Sequence, residues 1–296
     1  METLTLPAQT GLSRAKKTAI IYASVMLSIH LGILLVISTG VSPVAFLVGF
    51  IFYLVRGFGI SIGYHRYFAH KSFKTGRFFQ FILALMGSLS NQGGVLWWSS
   101  THRGHHKYSD TKDDLHSPIA HNFWHAHLGW MWSKEAYGKS KNPCHDLGKF
   151  PELKALNKHY VFVILFQVAG FFGLGVLLNT LYPELGTSGL QILVWGFFIS
   201  TVFMWHCTFM VNSVCHIWGY QRYKNSGDFS RNNPFVSLVT FGEGWHNNHH
   251  KYSWAARNGF KWWEFDPSYY LLKTLALFGI VSDLKVPTQE QLQTTH

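Results

Sequence analysis

The chain has 296 residues, of which 48% are hydrophobic and 13% charged, about half the charged share of an average soluble domain. Its apolar residues are gathered into long runs, which excludes a soluble globular core as the main architecture. The formal charge of +11 comes from Lys and Arg scattered beside those runs, a pattern that argues against nucleic acid and for an anionic membrane leaflet.

In chain order, residues 1–17 read as a polar cytoplasmic tail ending in Arg14, Lys16 and Lys17. The apolar stretch 18–39 is too long for the core of a secretory signal and no small-residue cleavage site follows, so it reads as a retained membrane helix. A second span, 42–63, follows after so short a turn that the two are expected to form a hairpin, and the first histidine box, His65-Arg66-Tyr67-Phe68-Ala69-His70, begins immediately after it. Residues 71–159 are wetter and rich in aromatics. Within them Phe78 to Leu89 suits an interfacial or re-entrant helix, and the second box, His102-Arg103-Gly104-His105-His106, lies here. Spans 160–182 and 188–211 flank Pro183-Glu184-Leu185-Gly186 as a second hairpin, and residues 212–280 carry the third box, His246-Asn247-Asn248-His249-His250. Residues 281–296 read as a polar tail.

The expected fold is therefore an all-α membrane protein, one domain over 18–280. Four transmembrane helices in two hairpins would be capped by a cytoplasmic helical region, 64–159 and 212–280. The cluster Arg14, Lys16, Lys17 sets the N-terminus inside, neither far-side turn contains Lys or Arg, and four crossings bring all three boxes to one face. One crossing more or fewer would divide them across a bilayer.

On a helix at about 100° per residue, His102, His105 and His106 point at about 0°, 300° and 40°, one sector, and His246, His249 and His250 repeat the pattern. His65 and His70 stand roughly 140° apart on an α-helix, so they are expected to serve two different ions or to straddle a frayed helix end. Asn212 and His216, one turn apart where the fourth span emerges, join the set. A structural zinc closes with about four ligands, usually including Cys, whereas these histidines exceed one ion's need. Imidazole suits zinc, copper, iron and nickel alike, so the metal stays open at this point. Asp110, Asp113, Asp114, His116, His127 and Glu243 are candidate partners for ring N–H groups. His30, His145, His159, His206 and His296 read as ordinary core or surface histidines. The three cysteines, Cys144, Cys207 and Cys215, contain no CxxC pair and read as small buried hydrophobes, not disulfides.

The boxes HRYFAH, HRGHH and HNNHH, with Asn212-x-x-x-His216, Gln92-Gly93-Gly94 before Trp98, His127-Leu128-Gly129-Trp130, Gly242-Glu243-Gly244-Trp245 and Trp263-Glu264-Phe265-Asp266, resemble the membrane-bound fatty acyl desaturases over nearly the whole chain. The resemblance implies a di-iron centre held by His65, His70, His102, His105, His106, His216, His246, His249 and His250, with Asn212 reaching it through water. It also implies the reaction: two adjacent CH2 groups of a long acyl chain lose two hydrogens, O2 becomes two waters, and an outside donor supplies two electrons. An HR opening box resembles the branch acting at the Δ9 carbon, and His at the start of box three argues against front-end desaturases. Gln92 and Trp98 become candidate substrate contacts.

Unactivated methylenes need a strong oxidant kept from water, so a bent apolar tunnel between the hairpins is expected. Gly49 and Tyr53, a turn apart on the second span, are placed to line its far end, with Tyr53 limiting chain length. Ser100 and Gly93 stand where the animal acyl-CoA pattern has a basic residue and Asn, and the glycine pair and HNNHH look closer to bacterial and cyanobacterial enzymes. Acyl-CoA and acyl-lipid are both open, and Arg66, Arg103, Lys107, Arg222 and Lys224 are candidates to meet a head-group phosphate. No haem domain follows box three, so an acidic ferredoxin or cytochrome b5-type donor is expected to be steered by the basic face. Two rivals remain. A histidine-rich membrane hydroxylase or ketolase would retain oxygen in its product. A haem b carrier or metal transporter would place histidines inside the spans, where only His30 and His206 lie.

Overall fold

The computed structural model describes residues 13–138, 142–224 and 227–293. Among them four helices are long and apolar enough to cross a membrane: α1 (Arg14–Thr39), α2 (Pro43–Ala69), α7 (Tyr160–Leu181) and α8 (Gly189–His216). Between them lie α3 (Arg77–Ser88), α4 (Val95–Tyr108), α5 (Phe123–His127) and α6 (Pro151–Lys158). After α8 come α9 (Pro234–Val239), α10 (His246–Lys251), α11 (Pro267–Leu277) and α12 (Gln289–Gln293).

The turns follow from local chemistry. Gly40, at φ +62°, ends α1, and Ser42 caps α2 by accepting from the Ala45 amide, with Pro43 in the first turn where its missing N–H costs nothing. The α7–α8 reversal uses a short 3-10 turn, Pro183–Leu185, closed by Gly186 at φ +57°. Only 11% of the apolar window of α1 and 22% of that of α7 is buried, against 50% for α2 and 61% for α8, so α2 and α8 form the inner pair. Outward residues of the outer helices, Ile37 and Phe166 among them, are apolar, as lipid contact requires. The central helix is α8, which packs on α1, α2 and α7, while α1 leans on α8 and on the 3-10 turns Gly129–Trp132 and Glu135–Tyr137.

Several boundaries differ from the sequence reading, each for a physical reason. The first helix starts at Arg14, inside the supposed tail, because the Ser13 side chain caps it. The inner helices do not stop at residues 63 and 211: α2 continues through the first box to Ala69 and α8 to His216. Both contain a π-helical stretch, Gly59–Ala69 and Val194–Ile199, that widens the turn without breaking the helix. Residues 281–293, within the stretch read as a polar tail, are tied to the body of the protein. Strand β2 (Val281–Ser282) pairs antiparallel with β1 (Lys74–Thr75), and Lys285 exchanges backbone bonds with Ser72 and Ala256. Residues 1–12 and His296 lie outside the described residues.

The π stretch of α2 rests on α3, and glycine sets the separation. A Cβ on Gly59 would run into the Met86 backbone, and one on Gly63 would lie 2.8 Å from the Leu83 carbonyl. Replacing Gly59 with Val should therefore destabilise the protein by about 1–3 kcal/mol. Gly170→Ala on α7, where a new methyl meets nothing within 4 Å, should be neutral or stabilising by up to about 1 kcal/mol. Melting temperatures in detergent check both, and equal shifts would contradict the packing account.

Candidate metal centre

Two groups of side chains converge where α2 and α8 end. His65, His70, His102, His106 and His249 form one, and His105, His216, His246 and His250 the other; within each, one ligand atom per residue lies within 4.8 Å of all the rest. All nine imidazoles of the sequence-derived set are thus assembled. The groups adjoin, with the His106 and His250 rings 4.4 Å apart.

Of the two expectations for His65 and His70, separate ions or straddling a helix end, the structure agrees with the second: α2 ends at Ala69, between them, and both belong to one group. The reason is the π turn: the His70 amide donates to the His65 carbonyl at 3.1 Å, a bond spanning five residues, which stacks residue i+5 over residue i. The second and third boxes, read as single ligand faces, each divide between the groups. His102 and His106 go one way and His105 the other, while His249 separates from His246 and His250.

The ring nitrogens show why a cation fits. Nδ1 of His105 bonds Asp114 at 2.9 Å, that of His216 Asp110 at 2.8 Å, and that of His250 Asp228 at 2.8 Å. His65 Nδ1 sits 2.5 Å from Glu243 Oε2, an ion-pair approach at an angle unlike a regular hydrogen bond. A carboxylate holds the proton on Nδ1, so Nε2 carries the lone pair and points inward. His105 and His250 then face each other with lone pairs 3.3 Å apart. Similar Nε2–Nε2 approaches occur between His65 and His249 (3.0 Å), His106 and His249 (2.9 Å), and His216 and His246 (3.1 Å). In the His105–His250 pair, where a carboxylate sits on Nδ1 of both rings, two acceptors at such a distance repel unless a cation lies between them, and neutral imidazole is the form a metal takes.

Burial, then the charge of neighbouring rings, holds His70, His102, His106, His246 and His249 well below the ordinary 6.5. Burial also depresses His105, but Asp114 more than offsets it and raises that ring. Burial pushes the Glu243 carboxyl up, while His65 and Arg66 pull it down further, to about 2.

Of the expected ring partners, Asp110, Asp114 and Glu243 contact rings of the two groups, His216, His105 and His65. Asp113 is exposed on the same loop, and His116 packs against His105 with its Nδ1 3.8 Å from Asp114. His127 turns away, to Ser213 and His206. Asp228 is not legible in the sequence, because an isolated Asp in a polar loop has no spacing relation to any box. Asn212 stands half-buried one turn before His216. His30 and His206 touch through their Nε2 atoms at 3.3 Å, which leaves no plane for a haem between them.

Gln92 donates to Thr208 Oγ1 at 3.2 Å, and the Trp98 ring stacks on His102 with centroids 5.0 Å apart. Tyr53 is buried between Phe203 and Phe241 with its hydroxyl on the Val239 carbonyl. At Gly49 the α2 backbone meets the Trp195 carbonyl, so its observed task is close helix packing. A cleft of about 720 Å³ opens along α4, lined by Leu96, Trp97, Ser100, His105 and Tyr108 among others. Three of the supposed phosphate binders are engaged elsewhere: Arg66 with Glu243 and Asp266, Arg103 with Asp146, Arg222 with Glu264. Lys107 and Lys224 are exposed.

Asp228→Asn removes the proton-holding carboxylate from His250 and should weaken metal retention about 10- to 100-fold, read by competition with a chelator. In the metal-free protein the depressed histidines bind protons more readily when unfolded, so stability should fall as pH drops below 6.5. A pH-independent melting temperature across that window would contradict the assignment of buried neutral rings.

The fatty acid desaturase family model matches residues 41–278. Similar curated proteins include an icosanoyl-CoA 5-desaturase of Limnanthes douglasii, 39% identical over 239 residues, covering 79% of this chain and 63% of that protein. An sn-1 stearoyl-lipid 9-desaturase of Synechocystis is 40% identical over 245 residues, 81% of this chain and 71% of its own. A chloroplastic palmitoyl-monogalactosyldiacylglycerol delta-7 desaturase of Arabidopsis thaliana is 36% identical over 250 residues, and this chain spans 63% of its length. Together with the two groups of converging imidazoles, these matches lead to one conclusion: the chain belongs to the fatty acid desaturase family.

Proposed function

We propose that this protein is an O2-dependent fatty acyl desaturase with two irons, one in each histidine group. The observation that carries the reading is the division of nine inward-facing imidazoles into groups of five and four at the ends of the inner helices. The reaction balances as R-CH2-CH2-R′ + O2 + 2e⁻ + 2H⁺ giving R-CH=CH-R′ + 2H2O. Bound iron supplies the oxidising power that O2 lacks toward an unactivated methylene. The chain supplies the rest. Asp110, Asp114, Asp228 and Glu243 fix ring tautomers, Asn212 orients water beside the four-histidine group, and Gln92 and Trp98 meet the acyl chain where it passes the centre.

The double bond is assigned to the Δ9 position on two grounds: the HR opening box, and a likeness to stearoyl-lipid 9-desaturases. The likeness to acyl-CoA enzymes is as close, so the acyl carrier is a CoA thioester or a glycerolipid, with the cleft along α4 taking its polar end. Gly49 and Tyr53 stand toward the far end of the acyl path, and Tyr53 limits chain length. The N-terminal Arg14, Lys16 and Lys17 orient the bundle with the metal centre on the cytoplasmic side. Lys107 and Lys224 belong to a basic face suited to an acidic ferredoxin or cytochrome b5-type donor.

His105→Ala should abolish product while the protein still inserts in the membrane, and retained turnover would remove the ligand assignment. Mass spectrometry of lipids from cells making the wild-type chain should show loss of two hydrogens. A gain of oxygen would instead indicate a hydroxylase or ketolase. Tyr53→Ala should shift the product profile to longer chains, and an unchanged profile would remove the chain-length role.

A further inference from the structure

Arg56 lies on α2 nine residues before His65, roughly 13 Å further into the spanning bundle, and is completely buried. A guanidinium at that depth is costly, and where it persists it serves a task that a hydrocarbon cannot. Here all of its hydrogen-bond partners are neutral. Nε donates to the Leu89 carbonyl at 2.8 Å, Nη1 to the Gly196 carbonyl at 3.0 Å and to Ser200 Oγ, and Nη2 to Gln167 Oε1 at 2.8 Å. Its Cζ also lies over the rings of Phe52 and Phe171, 5.6 and 5.7 Å from their centroids. One planar fork thus joins α2, α7, α8 and the segment that follows α3. A methionine of similar volume would fill the space but reach none of these acceptors.

The segment it holds, residues 89–94, is non-helical backbone packed among the spanning helices, where every polar group needs a partner. Gln167 passes the link on by donating to Asn91 Oδ1 at 2.9 Å, and Asn91 adopts φ +59°, a left-handed conformation. Trp205 donates to the Ser90 carbonyl at 2.8 Å, and the Tyr160 hydroxyl accepts from the Gly93 amide at 3.0 Å. Gln92 follows in this loop, and α4, which begins at Val95, carries Trp98 and the second histidine box.

We infer that Arg56 is a positioning residue that fixes the depth of the Leu89–Gly93 loop, and through Gln92 and Trp98 determines which pair of methylenes is presented to the metal centre. The inference rests on the desaturase reading and on those two side chains meeting the acyl chain. Loosening the fork lets the loop and the chain beside it settle in more than one register, so neighbouring carbon pairs compete. A role in packing alone would lower the amount of folded enzyme without changing where the double bond falls.

The test compares positional isomers of the monounsaturated product, located by dimethyl disulfide adducts and mass spectrometry, for wild type, Arg56→Lys, Gln167→Leu and Ser200→Ala. Gln92→Ala serves as the comparison. Arg56→Lys keeps the charge and loses the fork. It should give a several-fold larger share of adjacent positional isomers and a roughly 10- to 100-fold slower rate, at wild-type iron content per folded chain. If Arg56→Lys fails to accumulate, the two milder variants, each removing one acceptor of the fork, carry the test with the same expectation. A wild-type isomer ratio in folded variants would overturn the inference, whatever Gln92→Ala does. Failure of wild type itself to form an olefin would overturn the desaturase reading instead.

Discussion

Nitrogen lone pairs that face one another are the constraint to which the rest of the molecule answers. Burial favours the neutral form of His70, His102, His106, His246, His249 and His250, and carboxylates behind His65, His105, His216 and His250 hold those ring protons outward, so that the inward nitrogens of these four have nothing to donate. Left alone these rings would repel and swing apart. The scaffold holds them within reach of one another, and a cation in each group would turn the repulsion into ligation. Much of the entropy and desolvation cost of assembling the site is thereby met by folding, so binding a metal requires little further rearrangement.

That preorganisation is inherited from the spanning helices. The inner pair, α2 and α8, delivers His65, His70 and His216 directly from its own ends, and the π stretch of α2 is packed on α3 at glycines. The Arg66 guanidinium, fixed between Glu243 and Asp266, connects the first box to the segment before the third, and Glu243 in turn meets His65. Such a buried triad adds little net stability over apolar packing, but it is directional, and breaking one member leaves an unpaired charge. The geometry of the centre is therefore that of the bundle, and small shifts in helix packing reach the converging histidines.

Much of this was legible in the residues. Repeated i, i+3, i+4 histidines point to side chains that do converge in the fold, and apolar runs bounded by short turns identify the four candidate spans. The angular offset of His105 from His102 and His106 already contains the division of the second box, although all three fall within one sector of an α-helix. Other features were hidden for definable reasons. The meeting of His65 and His70 depends on a π turn, and a reading at 3.6 residues per turn separates them. Asp228 reaches His250 only through the folded loop, and the pairing of Val281 with Thr75 involves strands of two residues, too short to leave a periodic pattern. Arg66, Arg103 and Arg222 look like surface cations until the fold supplies Glu243, Asp146 and Glu264 as partners.

The central claim is that the two histidine groups bind one iron each. Mössbauer spectroscopy with elemental analysis of detergent-purified, iron-57-loaded protein tests it most directly. The account predicts two irons per chain in nitrogen-rich environments, and one remaining after replacement of His246, which belongs to the four-histidine group alone. A single iron in the intact chain, or zinc in place of iron, would contradict it.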